Sequence, residues 1–329
     1  MPANLTPQYR KAEDAFRRAQ SVEDELRCLM VMLQELPKHK GTDKLQAELR
    51  KRISETKKAV DAAKSGKRGF GIRIPHQGAG RIVLVGGPNA GKSQFLNQVT
   101  RATPVVAEYP FSTTEPQAAM MPWEDVMIQL VDTPPITIDF LEPYMQGLIR
   151  GADLVLMMVD GSSPAGVTDF QDAWRRIQAT RTRLGPSSYL DERDIGVSYT
   201  RTIIAVNKAD LAETADGVRA LRRMVLDTLP IEIISGKTGQ GVERLAKKLF
   251  AALDVVRVYT KSPNEKEPQM RDPYTIRSGS TLMELAELVH QDFAKGLKFA
   301  KVWGSAVHPG TVVKANYQPQ DQDIIELHL

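Results

Sequence analysis

The residues with the clearest chemical meaning form a short glycine-rich segment. Residues 86–93 have the sequence GGPNAGKS, which fits G-x-x-x-x-G-K-[ST], follows the apolar run RIVLV and precedes the helical stretch QFLNQV. Glycines allow backbone N–H groups to close around phosphate oxygens at a helix N-terminus, whose dipole favours anions. The pattern therefore predicts a nucleotide site, without saying which base is bound. Its candidate contact residues are Gly86, Gly87, Pro88, Asn89, Ala90, Gly91, Lys92, Ser93 and Gln94.

Three residues are candidates for phosphate and metal chemistry. We expect Lys92 to bridge the β- and γ-phosphates, which makes it a candidate catalytic residue. The Ser93 hydroxyl would ligate Mg²⁺, and Asp132, which follows the apolar run MIQLV, would hold the water shell of the same ion. A glycine-rich turn without a ligand would not need the adjacent lysine and serine.

A hydroxyl-rich loop precedes Asp132 in the chain. Residues 109–116 have the sequence YPFSTTEP. One hydroxyl group of this loop, such as that of Thr113 or Thr114, could complete the metal shell only while a γ-phosphate is bound, which is the behaviour of a switch segment. An ordinary turn residue is the alternative interpretation of Thr113.

A motif later in the chain predicts the base. Asn207, Lys208 and Asp210 belong to the sequence NKAD, which follows the apolar run TIIAV. The Asp210 carboxylate can accept hydrogen bonds from N1–H and the exocyclic amino group of guanine, whereas adenine offers no such donor pair on that edge. We expect Asn207 to tie the loop together and to contact the base edge. The motif therefore favours GTP or GDP as the ligand.

A second base-binding segment, SGK, follows the apolar run IEII. The backbone of Ser235 and Gly236 would contact the guanine oxygen. The aliphatic stems of Lys208 and Lys237 would flank the purine. An ATPase that uses the same phosphate loop is the alternative, and the role of Asp210 distinguishes the two.

These motifs lie after short apolar runs that alternate with helical stretches. Apolar strands that alternate with helices predict an α/β domain with a mainly parallel sheet covered on both faces. With the basic, glycine-rich linker before it, this domain is predicted at residues 65–254. The predicted strands are residues 81–85, 127–131, 154–159, 202–206 and 231–234.

Helical periodicity dominates the residues before this domain. Apolar residues recur every three or four positions from Tyr9 to Leu36 and from Leu45 to Val60, on either side of PKHKG. The pattern predicts a two-helix hairpin at residues 1–64. Residues 1–80 contain 17 Lys and Arg against 10 Asp and Glu, in a chain of net charge +4. This basic excess is typical of an RNA-binding surface and equally of a solvated helical surface.

The pattern after Asp254 predicts a small α+β domain at residues 255–329. Thr281 and Glu284 have the spacing of a capping box that begins a helix between short predicted strands. The segment shows no nucleophile, metal cluster or acid pair, so we interpret it as a binding module. Its candidates for RNA recognition are Lys295, Lys298, Lys301 and Trp303, although Trp303 is also suited to a core position.

In combination, these motifs resemble those of a known family. GGPNAGKS, YPFSTTEP, DTPPI, NKAD and SGK, followed by VRVYTK, LKFAKVWG and IIEL, are similar to the Obg and developmentally regulated GTP-binding (DRG) proteins with a C-terminal TGS domain. The resemblance covers most of the chain. It implies a P-loop GTPase domain, a β-grasp TGS domain, N-terminal helices like those of DRG proteins, and a ribosomal or RNA partner. It also assigns the metal role to Thr113 rather than Thr114.

Three positions bear on the rate of hydrolysis. Ile136 lies where many small GTPases have a glutamine that orients the attacking water, and the resemblance implies a hydrophobic residue and slow intrinsic hydrolysis. Pro135 replaces the glycine of D-x-x-G and has no N–H to donate to a γ-phosphate. Asn89 resembles an asparagine that contributes to a K⁺ site in potassium-activated GTPases, and a loop-bracing role is its alternative.

Length and composition suit two or three globular domains, at 329 residues and 42% hydrophobic content. No apolar run approaches the ~20 residues of a membrane-spanning helix, and the lone Cys28 suits a reducing cytoplasm. We therefore expect a cytoplasmic, Mg²⁺-dependent GTP-binding protein that hydrolyses GTP slowly and whose nucleotide state controls a contact with the ribosome or RNA. A scaffold that binds GTP or GDP and hardly hydrolyses it is the alternative.

Overall fold

Three parts make up the fold in a computed structural model of the chain. They are an N-terminal group of helices, a central α/β domain and a small C-terminal domain. The structure describes residues 5–19, 21–37, 40–65, 74–100, 116–191, 194, 196–225, 228–262 and 272–329. Within these ranges, no helix combines the length and apolar character needed to cross a membrane.

Three helices, rather than the predicted two, form the N-terminal part: α1 (Pro7–Arg18), α2 (Val22–Glu35) and α3 (Asp43–Ser65). The first predicted helix is divided because Ala19 is extended and the Ser21 side chain accepts a hydrogen bond from the Asp24 N–H, which begins a new helix. The division allows α1 and α2 to pack against each other, and both contribute to one apolar core with Phe16 and Leu29 at its centre.

The central domain is built on an eight-stranded sheet, and the predicted mainly parallel sheet is confirmed. The phosphate-loop strand β1 lies between β3 and β4 and is parallel to both, and β4 is in turn parallel to β7. Helices cover both faces of the sheet, each over its own apolar core. The elements are β1 (Arg81–Val85), α4 (Lys92–Thr100), β2 (Gln117–Trp123), β3 (Val126–Asp132), α5 (Pro143–Arg150), β4 (Leu154–Asp160), α6 (Pro164–Gln178), β5 (Thr182–Gly185), β6 (Tyr189–Leu190), β7 (Ser198–Asn207), α7 (Thr214–Val225), β8 (Ile231–Ile233) and α8 (Val242–Leu253).

Three strands of this sheet lie outside the predicted set. The edge strand β2 is antiparallel to β3. Strands β5 and β6 both pair with the first half of β7 and extend the sheet toward the N-terminal helices. Leu190 of β6 is buried in the helical core, and Arg17 of α1 donates a hydrogen bond to the Tyr199 carbonyl. This extension therefore forms the surface on which the N-terminal helices dock.

The C-terminal domain contains a five-stranded mixed sheet in the order β10-β9-β13-β11-β12, with β9 and β13 parallel. The predicted capping box is present, because Thr281 and Glu284 exchange side-chain-to-backbone hydrogen bonds at the start of α9. This helix buries Leu282 and Leu285 against the sheet. The elements are β9 (Val255–Thr260), β10 (Tyr274–Arg277), α9 (Leu282–Val289), α10 (Gln291–Gly296), β11 (Phe299–Gly304), β12 (Val307–Val313) and β13 (Asp323–His328).

Ion pairs join the three parts. Arg257 of β9, 5% exposed, pairs with Glu124 and Asp125 at the turn between β2 and β3. Arg277 of β10 pairs with Asp14 of α1. The C-terminal domain is therefore anchored to both the central domain and the N-terminal helices.

Candidate nucleotide site

The predicted phosphate loop lies between β1 and α4 at the carboxyl edge of the sheet. Gly91 has a φ of 86°, and a Cβ atom there would lie 2.1 Å from the Asn207 Nδ2. Gly86 has a φ of 152°, and its Cβ would lie 2.3 Å from the Met158 carbonyl oxygen. Only glycine therefore allows the loop to lie so close to the strand ends. Strands β3, β4, β7 and β8 run parallel to one another in this sheet, so the loops that follow them begin at the same edge.

Lys92 lies across the phosphate loop. Its side chain is 7% exposed, and its Nζ donates hydrogen bonds to the carbonyl oxygens of Gly86 at 3.1 Å and Gly87 at 3.0 Å. Burial lowers the pKa of Lys92, while the nearby Asp132 carboxylate acts in the opposite direction. A phosphate group at the loop would give this desolvated ammonium a direct counter-charge.

Ser93 and Asp132 lie together at the start of α4. The Ser93 hydroxyl donates to Asp132 Oδ2 at 2.5 Å. The second carboxylate oxygen, Oδ1, is buried and has no hydrogen-bond partner within the described part of the chain. Burial raises the pKa of Asp132 despite the contributions of Ser93 and Lys92. A hydroxyl beside an unpartnered carboxylate oxygen suits Mg²⁺, which prefers hard oxygen ligands. Thr113, the remaining predicted metal ligand, lies outside the described residues.

Asn207 joins the phosphate loop to the two base-binding loops. It is 0% exposed, and its Nδ2 donates to the Ala90 carbonyl at 3.0 Å. Its Oδ1 accepts from the N–H groups of Lys208 and Gly236, each at 2.8 Å. The side-chain amide of one residue thus contacts all three loops, which fixes their relative positions.

Asp210 is exposed at the mouth of the same cleft. Its Oδ1 accepts a hydrogen bond from the Ser235 hydroxyl at 2.6 Å, and this bond lowers the pKa of Asp210. Ser235 is fully buried and its hydroxyl also accepts from the Thr238 N–H at 3.1 Å. The hydrogen bond from Ser235 therefore favours the charged form of Asp210, whose side chain is exposed to an incoming ligand.

The two backbone N–H groups predicted to contact the guanine oxygen have hydrogen-bond acceptors inside the protein. The Ser235 N–H donates to the Gln240 carbonyl at 2.9 Å, and the Gly236 N–H donates to Asn207. Both expected donors are thus engaged inside the protein. The Lys237 N–H, by contrast, has no hydrogen-bond partner among the residues that the structure describes. An incoming carbonyl oxygen would compete with Asn207 for the Gly236 N–H, whereas it could accept a hydrogen bond from the Lys237 N–H without displacing another acceptor.

Lys208 is anchored by an acid that sequence reasoning missed. Its Nζ lies 2.5 Å from Oδ2 of Asp160, the last residue of β4. Burial raises the pKa of Asp160, but hydrogen bonds from Lys208 and Ser162 outweigh it and hold that pKa below its usual value. The sequence signal that could have identified Asp160 is its position as an acidic residue at the end of the apolar strand β4. This strand pairs with β1 and ends at the edge where the other motifs lie. Lys237 is exposed on the opposite loop.

The segment after Asp132 contacts the first residue of the phosphate loop through its backbone. Ile136 is 0% exposed and its side chain belongs to the core between the sheet and α5. Its N–H donates to the Gly86 carbonyl at 3.1 Å. Pro135 is exposed but has no N–H. In this arrangement neither residue offers a donor to a γ-phosphate or to water.

Asn89 and Gln94 border the loop without engaging in its internal hydrogen bonds. Asn89 is exposed and has a φ of 53°, which asparagine tolerates better than most residues. Gln94 is exposed in the first turn of α4. Pro88 completes the loop between Gly87 and Asn89 and is partly buried.

The predicted recognition residues of the C-terminal domain cluster around β11. Trp303 is partly buried rather than a core residue, and the Lys261 ammonium lies 4.8 Å from its ring centroid. Lys301, two residues earlier on the same strand, is 3.5 Å from the buried Glu326. Lys295 in the last turn of α10 and Lys298 between α10 and β11 are exposed.

Two parts of the chain match protein-family models, and most of its length aligns with known GTP-binding proteins. The family model described as "50S ribosome-binding GTPase" matches residues 81–208, and the TGS domain model matches residues 256–329. An uncharacterized GTP-binding protein of Methanocaldococcus jannaschii is 25% identical, over 93% of this chain and 92% of the relative. A developmentally-regulated GTP-binding protein 2 homolog of Dictyostelium discoideum is 25% identical, over 85% and 90%.

Among solved structures, a GTP-binding protein from Pyrococcus horikoshii OT3 matches with a TM-score of 0.47 and 15% identity, over 75% of this chain and 99% of that one. The two matched domains follow each other in the order that the sequence motifs predict. Residues 81–208 therefore match a GTPase family model and residues 256–329 a TGS domain model, and the chain is similar over most of its length to developmentally-regulated and other GTP-binding proteins.

Proposed function

We propose that this protein binds GTP and GDP with Mg²⁺, hydrolyses GTP slowly, and uses its nucleotide state to control a contact with the ribosome or RNA. The observation that carries the proposal is the contact of Asn207 with all three loops of the cleft. The Asn207 Nδ2 lies 3.0 Å from the Ala90 carbonyl oxygen of the phosphate loop, and the Asn207 Oδ1 holds the loop that carries Asp210, so both loops belong to one site. A site of this kind suits a ligand with phosphates at one end and a guanine at the other.

Different residues of the cleft would bind the phosphates, the metal ion and the base. The amides of residues 86–91 and the Lys92 ammonium would hold the phosphates. Ser93 and Asp132 would hold Mg²⁺, which neutralises charge on the phosphate oxygens when bound. Asp210 would accept from the guanine N1–H and amino group, while the Lys237 N–H donates to the guanine oxygen. Guanine is preferred over adenine because adenine offers Asp210 no such pair of donors on that edge.

Slow hydrolysis follows from the segment after Asp132. Rapid hydrolysis needs a group that orients the attacking water and donors that stabilise the charge formed on the γ-phosphate. Ile136 is buried in the core and Pro135 has no N–H, so neither supplies these contacts. A monovalent K⁺ ion beside the exposed Asn89 is our proposed source of the missing positive charge.

The same two residues favour a second candidate function, a GTP- or GDP-bound scaffold with almost no hydrolysis. Single-turnover measurements with and without ribosomes separate the two. A rate that rises above the spontaneous value in any condition supports the enzyme, and a rate at that value in every condition supports the scaffold.

An RNA contact of the TGS domain is supported by the surface around β11. Lys261 lies over Trp303, and the Phe299 and His328 rings stack at 4.5 Å between centroids. Cations beside partly exposed aromatic rings suit bases and phosphates of single-stranded RNA. The buried Glu326 neutralises part of this charge, since it lies 3.7 Å from Lys261 and 3.5 Å from Lys301. Sedimentation with ribosomes in the GTP, GDP and nucleotide-free forms tests the contact, and equal sedimentation in all three would remove the switch.

Isothermal titration calorimetry tests nucleotide binding directly. Nucleotide-stripped protein is titrated with GDP, a non-hydrolysable GTP analogue and ADP, each with Mg²⁺. We expect heat and a single site with the guanine nucleotides and none with ADP. Equal affinity for ADP would support the ATPase alternative, and no heat with any of them would overturn the proposal. The cytoplasmic location stays a prediction from the lone Cys28.

A further inference from the structure

A cavity of about 180 Å³ lies where the N-terminal helices, the GTPase domain and the TGS domain meet. It lies at the amino edge of the sheet, beside the starts of β4 and β7, and so opposite the nucleotide cleft. All three parts of the protein contribute to its walls. Five of the residues that line it are arginines: Arg17, Arg18, Arg150, Arg201 and Arg277.

Arg17 is the most unusual residue of this cavity. It is 7% exposed, and its Nε has no hydrogen-bond partner among the residues described by the structure. Its other contacts are long: Nη2 is 3.4 Å from the Tyr199 carbonyl oxygen, and Nη1 is 3.9 Å from Asp14. A guanidinium group carries five N–H donors, and a buried cation needs partners for them. Arg17 therefore presents unsatisfied donors to the cavity.

Arg201 is the second cation without an acidic partner. Its Nη1 donates to the Ala252 carbonyl at 2.6 Å, and no ion pair joins it to a carboxylate among the described residues. The hydroxyl-bearing Ser187 and Ser188 line the wall beside it. Arg17 and Arg201 thus face one cavity from different parts of the protein, and both have donors to spare.

The remaining charges of the cavity largely pair with one another. Arg277 pairs with Asp14, and Arg18 lies 2.9 Å from Asp153. Arg150 lies 2.6 Å from Glu25, outside the cavity wall. Asp254, the third carboxylate of the wall, is exposed. Two guanidinium groups are therefore left for a ligand.

The chemistry of these groups selects the ligand. Planar guanidinium groups match the oxygens of a phosphate bidentately, and serine hydroxyls can add further donors. A volume of about 180 Å³ corresponds to about six waters, which is room for one tetrahedral oxyanion. We propose that this cavity binds a phosphate dianion, as inorganic phosphate or as the phosphate group of a small phosphomonoester, through Arg17 and Arg201. Bound phosphate would stabilise the contact of the three parts by mass action.

Equilibrium dialysis with radiolabelled inorganic phosphate tests the proposal. The full chain is saturated with GDP and Mg²⁺, so that the phosphate loop is filled. We expect one phosphate per chain, and affinity about tenfold weaker in Arg201→Gln and in Arg17→Gln, because each loses a charge-assisted hydrogen bond. Arg222→Gln, an exposed arginine of α7, should bind as the wild type does.

Several outcomes would overturn the proposal. One is no binding by the wild type at millimolar phosphate, which would leave the cavity filled with water. Another is unchanged affinity in Arg201→Gln, which would place the phosphate elsewhere. Arg201→Gln decides the test if the buried Arg17→Gln fails to fold by circular dichroism. Repeating the dialysis on Lys92→Ala without nucleotide separates this site from the phosphate loop, so the result does not depend on GTP binding.

Competition identifies the source of the phosphate. Displacement by glycerol 3-phosphate would support a phosphomonoester as the ligand. Displacement by unlabelled inorganic phosphate alone would support the free ion. Displacement by a single-stranded oligoribonucleotide, without displacement by glycerol 3-phosphate, would mean that the surface binds a nucleic-acid backbone and would overturn the assignment of a small ligand.

Discussion

Arg257 of the TGS domain donates from Nη1 to the Asp125 carboxylate of the GTPase domain at 2.9 Å. The same guanidinium group pairs with Glu124 and, at 2.7 Å, with Asp321, and it lies over the Phe250 ring. Asp125 belongs to the turn between β2 and β3, and β3 ends at Asp132 of the proposed metal site. The TGS domain is therefore attached to the one hairpin that leads directly into the nucleotide cleft.

Replacing Arg257 with alanine should loosen this attachment. The variant leaves three carboxylates without their cation, and we expect the free energy of unfolding to fall by about 2 kcal/mol. This loss is smaller than for fully buried ion pairs because the carboxylates are partly exposed. Urea unfolding followed by circular dichroism measures it. Arg222→Ala serves as the matched control because Arg222 is exposed. A loss in Arg257→Ala no larger than in this control would show that the ion pairs contribute nothing to docking.

Asp153 should make stability depend on acid pH. Burial opposes its ionisation, but His76 at 2.6 Å, Arg18 at 2.9 Å and the Arg81 N–H hold the pKa of Asp153 well below its usual value. Because the folded pKa lies below the unfolded one, the stabilisation is fully present above about pH 4 and is lost as the pH falls through the folded pKa.

We therefore expect Asp153→Asn to lower the free energy of unfolding by about 2 kcal/mol at pH 7, with a smaller difference from wild type at pH 3. Thermal unfolding across this range measures the difference. Asp216→Asn, which removes an exposed carboxylate of α7, is the control. A difference that stays constant with pH would contradict the assignment of Asp153 as a charged, paired group.

Replacing Asp210 with asparagine should weaken guanine binding. The variant replaces one acceptor oxygen with an NH₂ group, which would face a guanine donor, and removes the negative charge. We expect the affinity for GDP to fall about a hundredfold. Calorimetry with Mg²⁺ and GDP measures it, again with Asp216→Asn as control. Unchanged affinity would show that Asp210 does not contact the base.

Replacing Ile136 with glutamine should not accelerate hydrolysis. The side chain at this position faces the core, so the new amide would be buried without partners and would lower the free energy of unfolding by about 2 kcal/mol. Single-turnover GTP hydrolysis and urea unfolding are measured on the same samples. Faster hydrolysis in a variant of full stability would mean that the segment after Asp132 can turn toward the phosphates.

Potassium should stimulate hydrolysis through Asn89. If K⁺ supplies the missing charge, single-turnover hydrolysis is at least about tenfold faster in KCl than in NaCl of equal ionic strength, a small part of what a cationic group can contribute. Asn89→Ala should hydrolyse GTP equally in both salts. Equal rates for the wild type in the two salts would remove the K⁺ proposal.

Local patterns predicted the central sheet well because its strands carry continuous apolar runs and its phosphate loop has a fixed spacing. The strand β2 was missed because Gln117 and Pro122 interrupt its apolar pattern, and because the turn Glu124–Asp125 that joins it to β3 lacks the glycine or asparagine that signals a hairpin. The break before α2 was missed because the apolar stripe continues through it, although Ser21 carries a capping signal.

Contacts between distant segments were beyond the reach of the sequence. Nothing local to Lys208 indicates that Asp160, 48 residues earlier, holds its amine. The bonds that occupy the Ser235 and Gly236 N–H groups likewise depend on how two loops meet. Residue types thus identified the nucleotide cleft, whereas the availability of each donor within it depends on tertiary structure.

The side chain of Asn207 has a consequence for molecules that imitate only part of a nucleotide. Because its amide is bonded to all three loops, the cleft cannot adjust one half independently of the other. In a complete nucleotide, binding of the phosphates holds the purine at a high effective concentration beside its own part of the cleft. A compound with only a purine, or only a pyrophosphate, lacks this advantage. Fragments of either half should therefore compete poorly with intact nucleotide.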